Sequence, residues 1–237
     1  SQRQPGSSFK PIIYAAALDK GYTPASVFID APFVIEAAGP GIFWEPQNYD
    51  QTFTGPMNLR KALTLSRNVV TVKILKYIGP EYVIEYAKNL GMSGEFVPNL
   101  ALSLGSCGVS LLNLVRGYSV FCAHGIAAEP IFITRVLARD GTVLEDNRPR
   151  LAQAISPETA YLITSMLQSV VEEGTGKKVR ALNRPCAGKT GTTNDVRDAW
   201  FIGYTPQIVA GVWLGFDDLK PLGKRETGGV AAAPVWL

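Results

Sequence analysis

Ala187-Gly-Lys-Thr-Gly-Thr192, Ala199-Trp-Phe-Ile-Gly-Tyr204 and Ile208-Val-Ala-Gly-Val-Trp-Leu-Gly215 are three short runs of strand length. The last two are joined by only Thr205-Pro-Gln207, which predicts an antiparallel meander. Working outward, Ser156-Pro-Glu-Thr-Ala160 opens a helix to Glu172, because a serine hydroxyl can accept a first-turn N–H and proline fits the first helical position. The following Glu173-Gly-Thr-Gly-Lys-Lys178 is expected to be a mobile loop. Further upstream, Leu59 to Ser66, Val69 to Ile78, Pro80 to Leu90 and Leu111 to His124 read as helices, with Gly79 and Gly91 as stops. They predict an all-helical region packed on itself. Ile131 to Ala138 and Thr142 to Glu145 flank Asp140-Gly141, a hairpin signal resting on positive φ at the turn. Residues 22–56, rich in proline, glycine and aromatics and including Trp44-Glu-Pro-Gln-Asn-Tyr49, read as a long irregular surface excursion. Before it, Ser7 to Lys20 is a helix ending at Gly21. The expected fold is α/β of the α+β kind, an antiparallel sheet flanked by helices with an all-helical region. It forms a single domain, with 22–155 mainly irregular and helical and 156–237 supplying a helix and the strands.

Composition bounds the function. With 237 residues, 46% hydrophobic and 18% charged, the chain is long enough to bury roughly 70% of its unfolded surface, which excludes disordered, collagen-like and coiled-coil classes. Lysine plus arginine exceed acidic residues by only three, scattered along the chain, so neither nucleic acid nor a membrane surface is indicated as a partner. Cys107, Cys122 and Cys186 form no Cys-x-x-Cys pair, so they read as small buried residues, and neither a metal nor a cofactor is expected. His124 is the only histidine, so a Ser-His-Asp triad would have to use it. No apolar run reaches about 18 residues, so no membrane span is expected. Ser1-Gln-Arg-Gln-Pro-Gly6 resembles neither a signal peptide nor a start, and Ala231-Ala-Ala-Pro234-Val-Trp-Leu237 reads as the opening of a helix. Both ends are expected to be internal to a longer protein.

Three motifs carry chemistry. In Ser7-Ser-Phe-Lys10, Lys10 follows Ser7 by one helical turn, within reach of its hydroxyl. Serine is a poor nucleophile until a base takes its proton, and lysine can be that base only if burial or a second cation lowers its pKa. Alone, the pattern arises by chance about once in such a chain, and a capping serine beside a solvated lysine explains it better. In Ser66-Arg67-Asn68 a hydroxyl and a carboxamide two residues apart can face one site, though taken alone helix capping accounts for them better. In Gly188-Lys189-Thr190-Gly191-Thr192 a cation and two hydroxyls can bind a carboxylate, while Gly191 lets a ligand backbone lie along the strand. A glycine-rich strand end is the plainer reading. It is not a phosphate loop, because Asn183 stands where that motif needs its first glycine.

Each motif occurs once, in the order Ser-x-x-Lys, Ser-x-Asn, Lys-Thr-Gly, the ordered signature of the penicilloyl-serine transferases. With Arg3-Gln-Pro-Gly-Ser-Ser-Phe-Lys-Pro11, Trp44-Glu-Pro-Gln-Asn-Tyr49, Leu63-Thr-Leu-Ser-Arg-Asn-Val-Val-Thr-Val72, Glu172-Glu-Gly-Thr-Gly176, Ala187 to Asp195 and Asp198 to Pro206, nearly the whole chain resembles the transpeptidase domain of class A, bifunctional penicillin-binding proteins. The resemblance implies a β-lactamase/transpeptidase-like fold and a D,D-transpeptidase that cross-links peptidoglycan stem peptides ending in D-Ala-D-Ala and is acylated by β-lactams. It implies Ser7 as nucleophile, Lys10 as its base, Ser66 as proton shuttle and Asn68 as holder of the substrate amide. Lys189, Thr190 and Thr192 would hold the terminal carboxylate with Gly191 beside them, and the N–H groups of Ser7 and Thr192 would form the oxyanion hole.

The same resemblance implies pieces outside this chain: two strands before the nucleophile helix, a helix after the Ala-Pro-Val-Trp stretch, a glycosyltransferase domain and a membrane anchor. The site would face the periplasm or the extracytoplasmic side of the bacterial inner membrane. An incomplete sheet would leave the isolated chain's stability and activity in question. Two alternatives share the motifs: a β-lactamase, for which Glu36, Glu45, Glu172 or Glu173 would have to deacylate, and a non-catalytic β-lactam-binding sensor.

Overall fold

The computed structural model describes residues 2–36 and 41–237. The part of the excursion reading that falls on 37–40, and Ser1, lie outside them.

Several short strands precede the main sheet. β1 (Val27–Asp30) pairs antiparallel with β4 (Gly55–Asn58), enclosing the pair β2 (Ile35–Glu36) and β3 (Phe43–Trp44). The 22–56 excursion is therefore not simply irregular. Alternation in Val27-Phe28-Ile29-Asp30 buries Phe28 and Asp30 and exposes the other two, the signature of a half-buried strand. β5 (Gly94–Glu95) pairs with β6 (Gly108–Val109), and β7 (Ile126–Ala128) with β10 (Leu151–Gln153). Between these last two lies the expected hairpin, β8 (Arg135–Leu137) and β9 (Val143–Asp146). Its turn differs from the expectation in that only Gly141 has positive φ, +85°. A longer loop closes it, with Ala138 N donating to Thr142 O.

The predicted meander is present as β11 (Ala187–Thr192), β12 (Asp198–Tyr204) and β13 (Val209–Gly215), in that spatial order and antiparallel. Every residue of β12 is buried. Trp200, Ile202 and Tyr204 enter the main core, while Phe201 enters a second cluster with Val171, Val179 and Ala233. A strand covered on both faces needs no polar alternation, and Ala199-Trp-Phe-Ile-Gly-Tyr204 has none.

The helices follow the sequence closely: α1 (Lys10–Asp19), α2 (Leu59–Thr64), α3 (Asn68–Ile78), α4 (Pro80–Asn89), α5 (Leu111–Cys122), α6 (Pro157–Glu172) and a short α7 (Ala233–Trp236). Ser156 caps α6 through Thr159 N, as its sequence predicts. α1 lies at the centre, with Ile12 through Ala17 fully buried, because an apolar face on every side can be satisfied only by neighbours on every side. Two expectations fail. Ser7 does not cap a helix: Gly6–Phe9 form a 3₁₀ turn, and α1 begins at Lys10, with Pro11 in its first turn where a missing N–H costs nothing. Nor is 173–178 a free loop. Gly174 N and Gly176 N both donate to Val170 O, and Thr175 N donates to Thr64 O.

Candidate active site

The 3₁₀ turn carrying Ser7 is pressed against β11 so closely that two glycines are required. A Cβ on Gly6, whose φ is +54°, would stand 2.4 Å from Thr192 O, and one on Gly191 would stand 2.4 Å from Pro5 O. Hydrogen bonds lock the turn: Trp200 Nε1 donates to Gln4 O at 2.9 Å, Ser8 Oγ to Pro5 O at 2.7 Å and Tyr118 Oη to Ser8 O at 2.6 Å. Ser7 is half-buried and opens onto a cavity of about 650 Å³, a size suited to a small peptide or drug-like ligand.

Beneath that cavity two fully buried lysines converge on Ser66. Lys10 Nζ donates to Ser66 O at 2.7 Å, Asn68 Oδ1 at 2.7 Å and Ser66 Oγ at 3.3 Å. Lys189 Nζ donates to Ser66 Oγ at 2.9 Å and Thr190 O at 3.0 Å. Ser66 Oγ accepts from both amines. Its backbone has φ +58°, a left-handed conformation that costs a non-glycine residue energy and recurs at functional sites. Among the described residues Ser7 Oγ makes no hydrogen bond, so the direct Ser7–Lys10 contact the spacing allows is replaced here by Lys10–Ser66 and Lys10–Asn68.

Burial, then the like charges of Lys189 and Arg67, hold Lys10 well below the ordinary lysine range, and burial brings Lys189 to about 7. Burial thus favours the neutral form of both amines. On β11, Thr190 is buried and its Oγ1 lies 2.7 Å from Thr175 Oγ1, while Thr192 Oγ1 accepts from Gly228 N at 3.1 Å. Ser7, Ser66, Asn68, Thr190 and Thr192 all line the cavity, with Lys10 and Lys189 joined to it through Ser66. All eight candidate residues therefore meet in one place, Gly191 by giving the Ser7 turn its room.

Residues 1–235 match the family model described as penicillin binding protein transpeptidase domain. The chain belongs to that family. Relatives in it include penicillin-binding protein 1A of Neisseria meningitidis serogroup A, 41% identical over the whole chain and 31% of the relative. The Pseudomonas aeruginosa protein of the same name is 38% identical over the whole chain and 35% of that protein. The chain thus spans about a third of the length of these relatives. A crystal structure of penicillin-binding protein 1A from Haemophilus influenzae matches all of the chain and 41% of its own, with TM-score 0.94 at 31% identity. The PonA1 protein of Mycobacterium tuberculosis in complex with penicillin V matches all of it and 68% of its own, with TM-score 0.87 at 25% identity. The fold is accordingly that of penicillin-binding transpeptidase domains.

Within this family site, residues that motif reading passed over also contribute. Thr175 reaches the cavity from the supposed mobile loop, and Asn48 reaches it from the excursion. Both sit in stretches that resemble family sequence, Glu172-Glu-Gly-Thr-Gly176 and Trp44-Glu-Pro-Gln-Asn-Tyr49, so a signal was present without a role attached. Among the described residues no helix is long and apolar enough to cross a membrane.

Proposed function

We propose that the chain is a serine D,D-transpeptidase acting on stem peptides that end in D-Ala-D-Ala, and that β-lactams acylate the same serine. The observation that carries this reading is a hydroxyl, Ser66 Oγ, held between two buried lysines at the edge of the Ser7 cavity. Neutral Lys10 takes the Ser7 proton as Ser7 Oγ attacks the penultimate D-alanine carbonyl. The backbone N–H groups of Ser7 and Thr192 receive the developing oxyanion, each such donor being worth about 3 kcal/mol. Collapse breaks the peptide bond, and the Lys10 proton passes through Ser66 to the leaving D-alanine amine. Lys189, Thr190 and Thr192 hold the terminal carboxylate, and Asn68 the substrate amide. An amine from a second stem peptide then attacks the ester; its proton returns by the same route, Ser7 is regenerated and a cross-link amide is formed.

With Lys10 neutral as the base, protonated Lys189 and the Thr190 and Thr192 hydroxyls suit an anionic substrate end. For the β-lactamase alternative, Glu36, Glu45, Glu172 and Glu173 are all absent from the cavity lining, whose carboxylates are Asp50 and Asp195. The single domain proposed for this chain would be one part of a longer membrane-anchored protein with a glycosyltransferase domain, working on the extracytoplasmic face of the bacterial inner membrane.

Labelled penicillin followed by intact-mass spectrometry tests the reading. A long-lived adduct that vanishes in Ser7→Ala is expected, and cross-linking of a stem-peptide donor to an amine acceptor then separates a transpeptidase from a sensor. Rapid loss of the adduct would indicate a β-lactamase, and no adduct would remove Ser7 as nucleophile.

A further inference from the structure

The excursion before α2 ends in a buried polar cluster directly behind the Ser66 turn. Asp30 is fully buried at the end of β1, and Arg67, the middle residue of Ser66-Arg67-Asn68, is 6% exposed. Arg67 Nε donates to Asp30 Oδ2 at 3.0 Å, and its terminal nitrogen lies 2.8 Å from the same oxygen. A second terminal nitrogen reaches Asp50 Oδ2 at 2.8 Å, and the guanidinium also donates to Thr52 O. Asp30 accepts in addition from Asn48 Nδ2 at 2.8 Å and from Thr54 N and Oγ1, both at 3.1 Å. A buried carboxylate with this many donors is fully satisfied.

Asn48 turns that cluster into a support for the site. α3 begins at Asn68 and its N-cap position, Arg67, offers no side-chain cap. The cap comes instead from Asn48, twenty residues away: its Oδ1 accepts from Asn68 N at 2.9 Å and Val69 N at 3.2 Å. These are two of the first-turn donors a helix leaves unpaired. The neighbouring Gln47 O accepts from Asn68 Nδ2 at 2.9 Å, which turns Asn68 Oδ1 toward Lys10 Nζ, 2.7 Å away. The strained Ser66 backbone, φ +58°, is held between this cap and the Lys10 hydrogen bond to Ser66 O.

We propose that Asp30, Asn48 and Arg67 are positioning residues for the acyl-transfer step, fixing the Ser66–Asn68 turn and through it the Lys10 amine. The proposal rests on the transpeptidase reading of the site. None of the three has to touch substrate to act. The ion pair holds Arg67, the cap holds the start of α3, and the turn between them carries the proton shuttle and the partners of the base.

The test uses the intact protein and four variants: Asn48→Ala, which removes cap and donor; Asn48→Gln, which keeps the carboxamide acceptor and donor; Arg67→Lys, which keeps the charge and loses the fork; and Val83→Ala, a core substitution in α4. Acylation by a penicillin is measured at limiting and saturating concentration and normalised to active sites, beside amide hydrogen exchange at Asn68 and Val69. Asn48→Ala and Arg67→Lys are expected to slow the saturating rate by on the order of ten- to a hundredfold, the cost of misplacing groups by about an ångström. Apparent affinity should change little, the two amides should lose protection in Asn48→Ala, and Asn48→Gln should recover part of both losses. Val83→Ala should lower the melting temperature and leave the normalised rate intact. An unchanged saturating rate in Asn48→Ala, or unchanged protection at Asn68 and Val69, overturns the proposal. If the unaltered protein is not acylated at all, the transpeptidase reading falls, and the exchange data still judge whether Asn48 holds the turn.

Discussion

The cavity has two walls built by opposite means. On one side the Ser7 turn and β11 meet through backbone approach at Gly6 and Gly191, backed by Trp200 and an apolar core. On the other, the Ser66–Asn68 turn is held by a buried ion pair and a borrowed helix cap. The first wall is specified by what is missing, since any side chain at two positions would collide. The second is specified by what must be matched, since each buried polar group there is costly without its partner. Lys10 and Lys189 approach Ser66 from the strand side and Asn68 from the polar side, so the proposed acyl transfer requires both walls in register.

The largest effect is expected from removing one partner of the polar wall. Asp30→Ala leaves Arg67 buried beside only the half-exposed Asp50, and removing one member of a buried pair costs about 3–5 kcal/mol. Denaturant unfolding should show that loss; a change below about 1 kcal/mol would mean the pair is not what holds the wall. The matching cut on the strand wall is Gly191→Ala, whose Cβ would meet Pro5 O at 2.4 Å and Ser8 Oγ at 2.8 Å. Overpacking of this kind costs about 1–3 kcal/mol. The Ser7 turn is what must move, so acylation should fall further than stability; an acylation rate that tracks the folded fraction alone would contradict the close-approach argument.

The walls should also answer pH at opposite ends. Burial raises the Asp30 pKa, but hydrogen bonds from Asn48, Arg67 and Thr54 and the charge of Arg67 outweigh it and hold the carboxyl below its ordinary value. Its contribution to stability is therefore complete above the unfolded carboxylate pKa of about 3.9 and is lost as pH falls through the lower folded value. Lys189, at about 7 in the fold, runs the other way. Between pH 7 and the unfolded lysine value of about 10.4 the unfolded chain binds more protons, so stability rises with pH. Lys10, also lowered by burial, adds to the same slope. Melting measured from pH 7 to 8, below the range in which cysteines (about 8.5) and tyrosines ionise in the unfolded chain, should rise by a few degrees and rise less steeply in Lys189→Met. A flat profile in the unaltered protein would argue that the lysine is not desolvated as the structure has it.

The strand wall was legible in the sequence and the polar wall was not. Ala187 to Gly215 announces a meander through short apolar runs and one tight connection, and Gly191 stands out as a place of close approach, although the backbone it admits is the chain's own at Pro5 and not the ligand's that the sequence suggests. Ser66 and Asn68 were legible as chemistry, because a hydroxyl and a carboxamide keep their meaning wherever they sit. What fixes them was hidden, since Asp30, Asn48 and Arg67 are far apart in the chain and a buried polar network leaves no periodicity. The same reasoning explains the misread loop at 173–178. Two glycines predict mobility by composition, yet Gly174 is there because a Cβ would stand 2.3 Å from Thr64 O.

That loop supplies the smallest of these effects and the finest probe of where the walls join. Thr175 N donates to Thr64 O at the end of α2, two residues before Ser66, while Thr175 Oγ1 lies 2.7 Å from Thr190 Oγ1 on β11. One residue therefore ties the polar wall to the strand wall, by its backbone on one side and its hydroxyl on the other. Thr175→Val keeps the shape and the backbone bond and deletes only the hydroxyl. A neutral hydrogen bond contributes about 1 kcal/mol, and Thr190 Oγ1 retains a long contact from Lys189 Nζ at 3.4 Å. Melting should drop slightly and acylation fall by less than about tenfold, with Thr175→Ser restoring it. The loss should appear in apparent affinity for a carboxylate-bearing β-lactam rather than in the saturating rate, because the proposed mechanism puts Thr190 at the substrate carboxylate while Lys10 keeps its own partners. A loss confined to the saturating rate would place Thr175 with the Ser66 machinery and move the seam between the walls one strand over.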